Sequence, residues 1–188
     1  MIRIDIPATS ANLGSGFDSL GIALTMCNRV WMEEADELKI TTTDKIKVPT
    51  DETNLIYWAA RHLYQICGKT LPGLHIIQEN NIPMARGLGS SSACIVAGIL
   101  GANRMLGSPM SQSDLINLAA QIEGHPDNTS PAISGGLVAS AMEGKRVYSV
   151  SVPVSGKISF AVIHHPARYR VAVLRGCAHV PAVLYQHL

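Results

Sequence analysis

None of the four cysteines belongs to a CxxC pair: Cys27, Cys67, Cys94 and Cys177 are widely spaced and fall mostly within apolar segments. Neither a disulfide framework nor a zinc site follows from that spacing, and a reducing cytoplasm fits it. An export signal is missing too. Met1-Ile2-Arg3-Ile4-Asp5 has charge where a signal peptide needs its apolar stretch, and no apolar run approaches the roughly 20 residues of a membrane span. The charge excess is small, +1, and gives no reason to expect nucleic acid or an anionic membrane as partner. Acidic residues vanish after Glu143, whereas Lys145, Arg146, Lys157, Arg168, Arg170 and Arg175 follow. With no internal repeat and no low-complexity linker, a soluble chain of one large domain, or one and a half small ones, is expected.

What the chain does have is a glycine and serine turn opening a buried helix. Pro83-Met84-Ala85-Arg86-Gly87-Leu88-Gly89-Ser90-Ser91-Ser92-Ala93 precedes the apolar run ending at Leu106. Gly87 and Gly89 permit backbone angles closed to other residues, and the serines suit a first helical turn. Ile95, Val96, Ile99, Leu100, Met105 and Leu106 leave the helix without a polar face. Such a helix start offers unpaired N–H groups and a positive dipole end, which suits a phosphate; a plain cap on a core helix is the alternative. GxxxxGK[ST] fails for want of a lysine, and GxGxxG fails because Ser92 stands at its sixth position.

From the start of the chain, Ile2, Ile4 and Ile6 alternate with Arg3 and Asp5, predicting a strand that ends at Pro7. Residues 8–18 form a loop of small residues holding Asn12 and Asp18, before the strand-like Leu20, Ile22 and Leu24. Between Asn28 and Val48 short strands with solvated charges are expected. Thr53 or Asn54 caps a helix carrying Leu55, Ala59, Leu63 and Ile66, and Leu74 to Gln78 reads as a strand. Ser111 and Asp114 mark a helix start with Leu115, Leu118, Ala119 and Ile122 as its buried stripe. That helix runs into Glu123-Gly124-His125-Pro126-Asp127-Asn128, and residues 129–138, with Pro131, Gly135 and Gly136, read as a second close-approach loop.

Together SANLGSGFD (10–18), PMARGLGSSSA (83–93) and EGHPDNTSPAISGG (123–136) resemble the homoserine kinase branch of the small-molecule kinases, a family that includes galactokinase, mevalonate kinase and phosphomevalonate kinase. The resemblance implies an α/β (α+β) fold of the ribosomal protein S5 domain 2-like type over residues 1–162, the N-terminal ATP-binding kinase domain. It implies the reaction of ATP with L-homoserine to ADP and O-phospho-L-homoserine, in threonine biosynthesis. By position, ATP would lie along Pro83, Met84, Ala85, Arg86, Gly87, Leu88, Gly89, Ser90, Ser91, Ser92 and Ala93. Mg²⁺ would be held by Ser91 and Glu123. Asn12, Asp18, His125 and Asn128 would face homoserine, with Asn128 and Glu123 as the catalytic pair. An amide at 128 cannot take a proton, which phosphoryl transfer through a loose transition state tolerates. Asp127 is not assigned as a base.

The resemblance stops near Val162. Family members continue into a ferredoxin-like C-terminal domain, expected to be missing here, and residues 163–188 are expected to be an aberrant or divergent basic tail rather than a domain. An apolar face left exposed would favour self-association or a homodimer. A non-catalytic fragment that binds nucleotide weakly is the alternative to a working kinase.

Overall fold

The computed structural model describes residues 1–155, 157, 158, 160–164, 170–174 and 183–186. Arg168, Arg175 and Cys177, with much of the segment expected to be a divergent tail, lie outside the described residues. The first strand, β1 (Ile2–Ala11), continues past Pro7 rather than ending there. It pairs antiparallel with β2 (Leu20–Glu34), and the register shifts between Pro7 and Thr9. A bulge of this kind is where a strand accommodates proline.

The length of β2 follows from its neighbours. Along one edge it pairs with β1, while the other edge is shared by two strands. Leu20 to Ile22 take β5 (Leu137–Glu143), and Arg29 to Glu34 take β4 (Leu74–Glu79). The sheet is completed by β3 (Lys39–Thr42) parallel to β4, by β6 (Arg146–Val152) beside β5, and by β9 (Val183–Gln186) antiparallel to Ile2–Asp5 of β1. A separate antiparallel pair is made by β7 (Phe160–His164) and β8 (Arg170–Leu174).

Among the described residues four helices accompany the sheet: α1 (Leu55–Ile66), α2 (Ser90–Met105), α3 (Gln112–Glu123) and α4 (Thr129–Ser134). Asn54 caps α1 by accepting from the N–H groups of Ile56 and Tyr57, and Ser111 with Asp114 forms a reciprocal capping box on α3. The stretch expected to be a loop at 129–138 is instead helical as far as Ser134. Pro131 is its third residue, where a missing N–H costs nothing, and Gly135 and Gly136 then end it with φ of 74° and 69°.

Helix α2 is the centre of the core. A Cβ on Gly98 would overlap the carbonyl of Ile56 in α1, and one on Gly101 would strike the sulfur of Met32 in β2. The helix is thus clasped between α1 and the sheet, and its N-terminus is fixed in place. The sheet's other face carries ion pairs, Arg3 with Asp5 and Arg29 with Glu79, both at 2.7 Å, beside Trp31.

Candidate functional site

The loop before α2 turns by positive φ at three positions, Ala85 (53°), Gly87 (69°) and Gly89 (63°). Leu88 is buried between them, and its carbonyl accepts the N–H of Thr9 from β1 at 3.2 Å. At Gly89 a Cβ would overlap Thr9 Oγ1 and lie 3.2 Å from Asn128 Oδ1. Glycine is therefore required by space as well as by φ. Among the described residues no side chain caps α2, so the first N–H groups of the helix are left for whatever enters the adjoining cavity.

That cavity, about 350 Å³, is lined by Ala11, Asn12, residues 85–92, Glu123 and Asn128. The three sequence motifs therefore converge on one volume. Glu123, the last residue of α3, accepts a hydrogen bond at 2.9 Å from Ser92 Oγ. The serine joined to Glu123 is thus Ser92, which is buried, while Ser91 is exposed at the cavity wall. Burial and, to a lesser degree, the charge of Glu123 push the Cys94 thiol up to about 11.

Asn12 and Asp18 are tied together within their loop, where Asn12 Oδ1 accepts the Asp18 N–H at 2.9 Å and both residues have positive φ. Asn12 lines the cavity, whereas Asp18 is exposed and outside its lining. On the opposite side Asn128 Oδ1 accepts from Thr9 Oγ1 at 2.7 Å, and Asn128 Nδ2 points at Asp127 Oδ1, 3.4 Å away. His125, 40% exposed, has its Nδ1 2.5 Å from the same carboxyl oxygen.

A second cavity of about 260 Å³ adjoins the first through Ala85, Ser90 and Ser91. Its walls are mainly apolar, from Val48, Leu55 and Met84, with the amides of Asn54, Gln78 and Asn80 among them. Met84 belongs to this cavity, Ala93 is buried in the core, and Pro83 lines neither. Sequence reasoning missed both this cavity and Thr9. Asn54 reads as a helix cap and Gln78 as a strand residue; only the fold brings their side chains within 3.5 Å.

Residues 54–136 match the GHMP kinases N terminal domain. That stretch is what the chain has in common with the GHMP kinases. The matched stretch contains the α2 loop and Glu123 to Asn128. Over 165 residues the chain is 44% identical to the homoserine kinase of Clostridium botulinum (strain 657 / Type Ba4), covering 87% of this chain and 54% of that protein. The homoserine kinase of Caldicellulosiruptor bescii is 43% identical over 164 residues, 86% of this chain and 53% of its own. The chain thus spans about half the length of the curated relatives it matches. Among solved structures, homoserine kinase from Cytophaga hutchinsonii aligns with a TM-score of 0.75 at 30% identity, over 87% of this chain and 55% of that one. A mevalonate kinase shares the fold over 79% of this chain, with a TM-score of 0.60 at 16% identity.

Proposed function

We propose that the chain supplies the nucleotide-binding half of an ATP-dependent kinase that phosphorylates L-homoserine, working in the cytoplasm on the way to threonine. The observation that carries this reading is the junction at Gly89, where an uncapped helix start, Glu123 and Asn128 share one cavity. The substrate is suggested by the relatives named homoserine kinase.

In this reading the ATP phosphates rest on the backbone of Gly87 to Ser92, and the apolar second cavity takes the base. Arg86 adds a cation beside the phosphates. The donor set fits Mg²⁺, because Glu123 and the serine hydroxyls are hard oxygen ligands placed at the mouth of a phosphate site. When bound, the ion would neutralise phosphate charge, held by Glu123 and Ser91. Asn12 and Asn128, which line the cavity, would face homoserine, and Asp18 and His125, outside its lining, would reach it from the neighbouring loops. Its hydroxyl oxygen bonds to the γ-phosphorus as the bond from that phosphorus to ADP breaks, and ADP leaves with the electron pair. Asn128 cannot accept the hydroxyl proton, which passes to a phosphate oxygen or to water.

ADP release measured with ATP, Mg²⁺ and L-homoserine tests the reading, and homoserine-dependent ADP is the expected result from a kinase of the relatives' length. One observation favours a second reading for these 188 residues alone. Among the described residues Arg86 is the one cation lining the cavity, and a substrate carboxylate also needs a cationic partner. Saturable nucleotide binding with no homoserine-dependent ADP would identify that second case.

A further inference from the structure

Asp127 is wholly buried, yet its neighbour Asn128 lines the cavity. Its backbone carbonyl is pressed against Gly21 of β2, where a Cβ would overlap it, so the segment cannot slide away. Oδ1 meets both His125 Nδ1 and Asn128 Nδ2, while Oδ2 has no hydrogen-bond partner among the described residues. So enclosed a group does not reach a substrate, but it can orient those that do.

A carboxylate accepts hydrogen bonds and donates none. Each group joined to Asp127 is thereby given a direction. A bond from His125 to that carboxylate requires the proton on Nδ1. Asn128 turns Nδ2 toward Asp127, which leaves Oδ1 facing Thr9, and the Thr9 hydroxyl donates to it. Thr9 is itself buried and touches the Gly89 turn, so this chain of bonds ends against the phosphate loop.

We propose that Asp127 is a positioning residue that sets the polarity of the Thr9, Asn128, Asp127 and His125 chain. It holds His125 as the Nδ1–H tautomer with Nε2 bare, and holds Asn128 with its carbonyl closed off by Thr9 and one amide hydrogen still available. If the kinase reading holds, on which this last step rests, the bare Nε2 accepts from an N–H or O–H group of the substrate, as an amino alcohol provides. The spare Asn128 hydrogen donates to an oxygen.

The test needs no ligand. In the ¹⁵N-labelled 188-residue protein at about pH 8, above the ordinary imidazole range, two-bond proton to nitrogen correlations show which nitrogen of His125 is protonated. The expected result is Nδ1 in the parent and in Asp127→Asn, whose carbonyl still accepts, and a mixture of tautomers in Asp127→Ala. Thr9→Val is expected to shift the Asn128 side-chain amide signals and leave His125 unchanged, with Thr9→Ser restoring them. A parent protein protonated on Nε2, or a folded Asp127→Ala protein with the same single tautomer, would overturn the proposal. Should Asp127→Ala not fold, the parent spectrum and the Thr9 pair decide it. ADP release plays no part in these readouts, so failure of the kinase reading leaves them standing.

Discussion

At position 128 an amide does what a carboxylate of the same shape cannot. Asn128 donates toward the buried Asp127 and accepts from Thr9, so Asn128→Asp sets two carboxylates against each other where water is scarce. The expected cost is about 1–3 kcal/mol, read as a lower urea midpoint, with no gain in homoserine-dependent rate. A gain in rate would mean that a base was the missing element. Cys94 offers a separate check. Its thiol is pushed up to about 11, so the neutral form dominates near neutral pH and the thiolate appears only as pH climbs toward that value. Alkylation of the folded chain by iodoacetamide is therefore expected to be slow at about pH 8 and to rise steeply with pH; rapid alkylation there would contradict a raised thiol pKa at this half-buried wall of the second cavity.

Among the elements, the helices were the legible part. The serine start of α2, the Ser111 and Asp114 box of α3 and the Asn54 cap all follow from local chemistry acting on neighbouring backbone. The strands were less so. β1 crosses Pro7 because a bulge absorbs it, and β2 is long because two partners share one edge, and neither fact is local. Helix α4 was hidden by Pro131, a helix breaker everywhere but the first turn. Convergence of the three motifs was expected from the resemblance, but the buried partners of Asn128 and His125 emerge only from packing. Gly98 makes the same point as a prediction. Gly to Ala in an exposed helix interior stabilises by up to about 1 kcal/mol, yet at Gly98 the methyl would meet the carbonyl of Ile56. Gly98→Ala is expected to destabilise by about 1–3 kcal/mol, and Ser111→Ala, which loses a cap at an exposed helix start, by about 1 kcal/mol. Thermal unfolding of the two variants checks both.

For the whole molecule, the core serves to hold one helix end in place. With α2 clasped between α1 and the sheet, its N-terminus, Thr9 and Glu123 keep a fixed geometry around the cavity. Glu123→Gln keeps the shape but removes the charge expected to hold Mg²⁺. It should weaken nucleotide binding in the presence of Mg²⁺ and leave metal-free binding nearly unchanged; equal loss in both would place the metal elsewhere. Whether the Gly87 to Ser92 turn is a phosphate site is decided by calorimetric titration of ATP with Mg²⁺ into the parent chain and into Gly89→Val. Valine is strained at a φ of 63° and would collide with Thr9. Saturable binding is expected from the parent, with at least a tenfold loss in a Gly89→Val protein whose circular dichroism shows it folded, a change of about 1.4 kcal/mol or more. Unchanged affinity in that folded variant, or no binding by the parent, would contradict a phosphate site there.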